Sequence, residues 1–231
     1  MVDVGPASTP GLKGGDKKAL REVKKHRDEL FELHERLYAE RKRSLLVVLQ
    51  GMDTAGKDGT VTHVVRNFNP QGVLITPFKA PTPEEKRHGF LWRIRRRLPE
   101  PGFIAIYALI NEFENNLVRS GTTVVKLCLH ISNAEQRARL IDRLKVPDKR
   151  WKFNEHDIDE RADWDDYMSA YGLAITHCST NPAPWYVVPA NDKVYRNWAV
   201  TKILVETLRQ MNPRYPRPKL DVPRLIKRLQ S

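Results

Sequence analysis

An α/β fold built on a parallel sheet is predicted by three observations on this 231-residue chain. Ser44-Leu-Leu-Val-Val-Leu-Gln50 is a continuous apolar run, too short for a helix and bounded by charge and glycine, as expected of a strand buried on both faces. Further apolar runs at residues 73–76, 103–106, 122–131 and 185–189 alternate with helical periodicities, which predicts five parallel strands flanked by helices in three layers. The first of these strands passes straight into a glycine-containing loop and then a helical pattern.

The elements follow in order. Residues 1–15 are rich in Gly, Pro, Ser and Thr, which hydrate well and bury little, so a mobile arm is expected. Leu20, Val23, Leu30, Leu33 and Leu37 then recur at helical spacing among charges, predicting a long amphipathic packing helix that ends near Arg43. After the strand at 44–50 and the loop at 51–60, helices are expected over 61–68, 83–98, 133–144, 157–176 and 195–211. The proline-rich, basic stretch that opens residues 212–231 should run extended over the surface. One domain over 16–211 is therefore bracketed by an arm and a tail.

Composition narrows the partners. With 40% hydrophobic and 29% charged residues the chain is too apolar to be disordered. Forty Lys and Arg against 28 Asp and Glu give +12, a field that attracts a polyanion: nucleic acid, anionic lipid or polyphosphate. Two cysteines, Cys128 and Cys178, cannot make a disulfide framework, which fits a reducing compartment. The chain start has no basic region followed by an apolar one, and no run approaches the roughly 18 apolar residues of a spanning helix. A cytoplasmic protein with no membrane partner is expected.

The loop carries the strongest chemical signal. Gly51-Met-Asp-Thr-Ala-Gly-Lys-Asp-Gly-Thr60 has the glycine and lysine spacing of a Walker A loop, in the required context of strand before and helix after. Backbone N–H groups from Gly51 through Ala55, Gly56, Lys57, Asp58, Gly59 and Thr60 would converge on phosphate oxygens, while the Lys57 ammonium neutralises the transferred group. Asp58 stands where Ser or Thr usually ligates a metal, and it offers a hard carboxylate oxygen together with Asp53. The plainer reading, that the glycines only shape a tight turn, is disfavoured by the flanking strand and helix. His63, His130 and His177 show no metal-ligand spacing, so no zinc site is expected.

The loop is one of an ordered set of motifs. The others are Phe78-Lys-Ala-Pro-Thr82, His88-Gly-Phe-Leu-Trp-Arg93, Leu129-His-Ile-Ser132, Lys149-Arg-Trp-Lys-Phe153, Trp164-Asp-Asp-Tyr167 and Pro184-Trp-Tyr-Val-Val-Pro-Ala190. Together they resemble the family-2 polyphosphate kinases from about Leu33 to the chain end, and Met211-Asn-Pro213 is most similar to the class III branch. The resemblance implies transfer of phosphoryl groups from polyphosphate to AMP or ADP, giving ADP or ATP, on a P-loop kinase core like that of thymidylate kinase. It also implies Mg²⁺, with Mn²⁺ as a substitute, a helical lid at about 139–160, and a homodimer or homotetramer that needs no nucleic acid.

Carried onto these residues, the resemblance makes Asp53 a metal holder or an orienter of the acceptor phosphate, and Lys57 the binder of the transferred group. Lys79, Arg93 and Arg96 would line the polyphosphate path with Lys149, Arg150 and Lys152, and Arg139 and Arg143 would reach the phosphates from the lid. Plainer alternatives stand beside each of these: Lys79 as a solvated strand end, Arg139 and Arg143 as flanks of a surface helix, the arginine run at 93–97 as a solvated face. Trp151 is expected to pack, as are Trp164, Tyr167 and Tyr171, which share one helix face.

One segment departs from the family. The strand at 103–106 runs directly into a helical pattern at 107–114, without the roughly two to six residues that such a connection needs. In the family an Asp- or Asn-Arg-Ser motif, acidic residues and a loop stand at this point. A segment of the natural protein is therefore expected to be missing between Ile106 and Tyr107, with a natural deletion as the alternative. Loss of such a charge-stabilising arginine would cost roughly 10³ to 10⁵ in rate. Two other activities compete with polyphosphate-driven transfer: an ATP-dependent small-molecule kinase, and a polyanion or nucleic-acid binding protein on an inactive kinase scaffold.

Overall fold

The apolar run at 44–50 forms strand β1 (Ser44–Gln50), buried from Ser44 to Val48. The computed structural model describes residues 4–77, 82–88, 104–105 and 111–230. Strand β4 (Thr122–His130) pairs in parallel with the whole of β1, from Ser44 opposite Thr122 to Gln50 opposite Cys128. Strand β5 (Trp185–Pro189) extends the sheet beyond β4, also in parallel. On the other side β1 pairs with β3 (Ile104–Ala105), and β3 with β2 (Val73–Leu74), each over two residues. The order is β2-β3-β1-β4-β5 and every pairing is parallel.

Alternation along the strands sends successive side chains to opposite faces. Leu45 and Val47 join Leu127 and Leu129 on the face covered by helix α1 (Gly15–Glu40), through Leu30 and Leu37, and by helix α8 (Lys193–Met211), through Leu204 and Leu208. Leu46 and Val48 join Val124 on the other face, against Leu117 of helix α4 (Asn111–Arg119). The fold is a mixed α/β arrangement with helices on both faces of a parallel sheet, as the buried runs required.

Several boundaries differ from expectation, each for a local reason. Helix α2 (Lys57–His63) starts four residues earlier than expected because Gly56, with φ of 104°, turns the loop straight into the helix. The helix expected at 83–98 is described as α3 (Pro83–Arg87), and its continuation lies outside the described residues. Helix α5 (Asn133–Lys145) begins where the Ser132 hydroxyl accepts from the Glu135 N–H. The single helix expected at 157–176 is two, α6 (His156–Asp159) and α7 (Trp164–Cys178). Arg161 lies in the break, and its guanidinium reaches back to donate to Gln136 and Asn133 of α5.

The arm expected to be mobile is instead tied down over residues 4–14. Tyr195 donates its hydroxyl to the Pro10 carbonyl, Asn191 N–H donates to Pro6, and Leu12 packs against the core. Past Met211 the tail has no regular secondary structure until helix α9 (Val222–Gln230), which sequence reading missed. The join between Ile106 and Tyr107, where a missing segment was expected, lies outside the described residues.

His34 is fully buried on α1. Its Nδ1 accepts from the Asn69 N–H at 3.1 Å, so Nε2 carries the hydrogen donated to the Gly72 carbonyl at 3.2 Å. Burial lowers its pKa to about 4 from an ordinary 6.5. A depressed folded-state value means that the unfolded chain takes up the proton first as pH falls. The stability that this neutral ring contributes is present above pH 6.5 and is lost between 6.5 and about 4, to a total of about 3 kcal/mol. Denaturant titrations from pH 7.5 to 4.5 should show the wild type losing its advantage over His34→Gln across that window. A constant gap would rule the mechanism out.

Candidate active site

β1 delivers the chain to the loop, and close packing dictates its glycines. A Cβ on Gly51 would lie 2.8 Å from the Leu129 carbonyl oxygen of β4 and 2.9 Å from the Ala55 side chain. Thr54 is held at φ of 61°, in the left-handed region that costs a branched residue energy, and its buried hydroxyl has no hydrogen-bond partner. Ala55 N–H donates back to the Met52 carbonyl at 3.1 Å, tightening the turn. Thr60, one of the expected phosphate ligands, spends both its N–H and its hydroxyl on the Gly56 carbonyl and is 1% exposed, which leaves it out of the loop's open side.

Lys57 occupies the centre. Its Nζ donates to the carbonyls of Gly51 at 2.7 Å and Met52 at 3.2 Å, folding the side chain over the loop. Burial pushes its pKa down, while the carboxylates of Asp53 and Asp58 push it up. Asp53 pairs with Arg143 of α5 at 2.9 Å, and Arg143 also lies 3.7 Å from Asp157 of α6. Burial, and the neighbouring Asp53, raise the Asp157 pKa. Asp58 pairs with Lys152 at 3.2 Å, and Lys149 with Asp142 at 2.7 Å.

The expected cations thus divide. Lys57, Arg139, Arg143 and Lys149 line one cleft together with Asp53, Asp58 and the backbone at Gly56. Arg139 has its guanidinium committed: it donates to the carbonyls of Thr54, Ala190 and Asn191 and to Glu135, so it clamps the loop to the β5–α8 connection. Arg150 donates to the Leu144 carbonyl and is not among the cleft's lining residues. Lys79, Arg93 and Arg96 lie outside the described residues.

Sequence reading missed four participants. Lys193 lines the cleft from the first turn of α8. Asp157 and Arg161 hold α6 and the connection that follows it against α5. Arg196 is the fourth: 3% exposed, it lies so close under the loop that a Cβ on Gly56 or Gly59 would overlap its guanidinium. Burial first, and the nearby Arg139 second, lower the Arg196 pKa to about 10. The available signal was the Asp192 cap, whose carboxylate accepts from the Val194 and Tyr195 N–H groups and so starts a helix that aims Arg196 at the loop.

The aromatic expectations also divide. Trp164 packs against the core, and the Tyr171 hydroxyl accepts from Gln50 at 3.1 Å. Trp151, expected to pack, is 77% exposed, with Lys152 Nζ 5.0 Å from its ring centroid. It stands in a 3-10 turn (Pro147–Lys152) none of whose residues is buried, which leaves it nothing to pack into.

Five cations and the start of α2 therefore surround one open cleft at the end of the central strand, against three carboxylates. Such a site favours an anion of several charges held by more than one donor. Among the described residues no group of three or more His, Cys, Asp and Glu could hold a metal ion, so a purely protein-built cage is absent there.

The family model described as polyphosphate kinase 2 matches residues 14–109 and 103–216. The AMP/ADP-polyphosphate phosphotransferase of Meiothermus ruber is 40% identical, covering 96% of this chain and 92% of that protein. Its alignment spans 247 positions although this chain has only 231 residues, so the relative carries residues with no counterpart here. The ADP-polyphosphate phosphotransferase of Rhodopseudomonas palustris is 35% identical over 82% of the chain and 78% of its own length. The crystal structure of polyphosphate kinase 2 from Arthrobacter aurescens TC1 superposes with a TM-score of 0.95 at 41% identity, covering 100% of this chain and 93% of that one.

Proposed function

The chain belongs to the polyphosphate kinase 2 family, and on that premise we propose that it transfers phosphoryl groups between inorganic polyphosphate and AMP or ADP, reversibly, in the cleft above Gly51–Thr60. The observation that carries this reading is the convergence of Lys57, Arg139, Arg143, Lys149 and Lys193 on one glycine loop at the end of a central parallel strand. On this reading the core is a P-loop kinase fold with a lid over about 139–160, working in the cytoplasm as a homodimer or homotetramer. No helix among the described residues is long and apolar enough to cross a membrane.

The chain's own groups have separable roles. Lys57 shifts from the carbonyls of Gly51 and Met52 to the phosphoryl group in transit, and Arg143 moves from Asp53 to the same charge. Arg139 and Arg196 hold the loop from two sides so that its amides keep their direction. Lys149, Lys152 and Lys193 draw in the long anion.

A divalent ion fits the donor set. Two hard carboxylates, Asp53 and Asp58, stand in the loop, each now engaged by a cation that a metal would displace. Two carboxylates suit Mg²⁺ or Mn²⁺ shared with substrate phosphates rather than caged by protein alone. When bound, the ion would neutralise charge on the bridged phosphates.

The test supplies purified natural protein with polyphosphate as the sole phosphoryl donor, Mg²⁺, and AMP or ADP. ADP or ATP should accumulate. Product from ATP and a small molecule but none from polyphosphate would favour the small-molecule kinase. No turnover, with tight and steeply salt-dependent RNA binding, would favour the polyanion-binding scaffold. A mass above 26.8 kDa for that protein would show that residues are missing from this sequence, as the join at Ile106–Tyr107 leads one to expect.

A further inference from the structure

The geometry points to Trp151 as the platform on which the base of the nucleotide substrate stacks; this rests on the phosphotransferase reading above. Trp151 is the most exposed aromatic side chain among the described residues, at 77%, in a turn that also carries Lys149, Arg150 and Lys152 beside Pro147 and Asp148. A large flat ring left in water amid cations is costly unless something covers it.

Lys152 fixes where the ring stands. Its Nζ lies 5.0 Å from the Trp151 ring centroid and 3.2 Å from Asp58 Oδ2, so the ring centre is no more than about 8 Å from a carboxylate of the glycine loop. A nucleoside diphosphate whose phosphates enter the loop carries its base at a distance of that order. Lys149, which lines the cleft, precedes the ring by two residues, so phosphate-binding and ring-bearing groups share one turn.

The chemistry of the two substrates decides which of them uses the ring. Polyphosphate has neither a π-face nor apolar surface and gains nothing from an indole. A nucleobase has both, and base–aromatic stacking tolerates every base because each has a π-face. The cation beside the indole strengthens the pairing, since Lys152 can hold the ring and a phosphate oxygen at once.

The test uses the full protein with Trp151→Ala and Trp151→Phe, substitutions at an exposed position that buries nothing. Trp151→Ala should raise the KM for ADP about tenfold and leave the KM for polyphosphate within about twofold, while Trp151→Phe stays within about threefold on both. ADP should quench tryptophan fluorescence in the wild type, tripolyphosphate should not, and Trp151→Phe should lose the quench. An unchanged KM for ADP overturns the inference, as does an equal rise in both KM values, which would mark Trp151 as a support for Lys152. A wild type inactive with polyphosphate would defeat the functional reading instead. Even then, quenching by ADP but not tripolyphosphate would uphold the stacking platform, and absence of any quench would end it.

Discussion

Lys57→Ala should lower kcat/KM for transfer from polyphosphate by about 10² to 10³, with the fold intact by circular dichroism. The side chain is the one ammonium among the described residues that donates to the loop's carbonyls, with Nζ at 2.7 Å from Gly51 and 3.2 Å from Met52. Burial weakens its hold on the proton, while Asp53 and Asp58 favour the charged form. Transfer spreads charge over the phosphoryl oxygens, and a cation positioned beside them is worth more against that charge than against the ground state. Lys57→Arg should recover little, because a planar fork cannot fold over the two carbonyls as a compact ammonium does. Wild-type throughput in Lys57→Ala would remove the loop from catalysis and with it the functional proposal.

The loop could be read from sequence because its meaning is local: glycines, a lysine and the strand before them lie within a few residues of one another. The same holds for β1 and for β5, whose bounds match the apolar runs. What could not be read depends on contacts between distant segments. Arg196 falls under Gly56 only after α8 has packed beside α2, and no spacing in the sequence marks that approach. Arg139 has the expected position but an unexpected task, since its partners at Thr54 and Ala190 come from two other segments. Trp151 misled for the opposite reason: aromatic residues usually pack, and only the turn at Pro147–Lys152 shows that nothing is there to receive it.

Lys126 is the sharpest case of a residue that pattern reading passes over, and it carries the second large effect. It sits in the middle of the run read as a wholly buried strand, and it is indeed 0% exposed, charge included. Its Nζ donates to Glu114 Oε2 at 2.5 Å and to the Cys178 carbonyl at 2.6 Å, and lies 5.3 Å from the Trp185 ring centroid. One ammonium thereby joins α4, the end of α7 and β5 to the strand that carries it. Burial raises the Glu114 pKa, with Lys126 acting against it, and Glu114 Oε1 has no hydrogen-bond partner.

Lys126→Met keeps most of the volume but leaves that carboxyl buried without its cation. The cost should be about 3 to 5 kcal/mol, or roughly 10 °C in Tm for a chain of this size. Because a buried pair is replaceable by apolar groups of similar volume, adding Glu114→Met should restore most of the loss rather than deepen it. Thermal melts of the two single variants and the double variant measure the coupling directly. If Lys126→Met melts within about 2 °C of wild type, or if the double variant is merely the sum of the singles, the ammonium is not what ties these segments together.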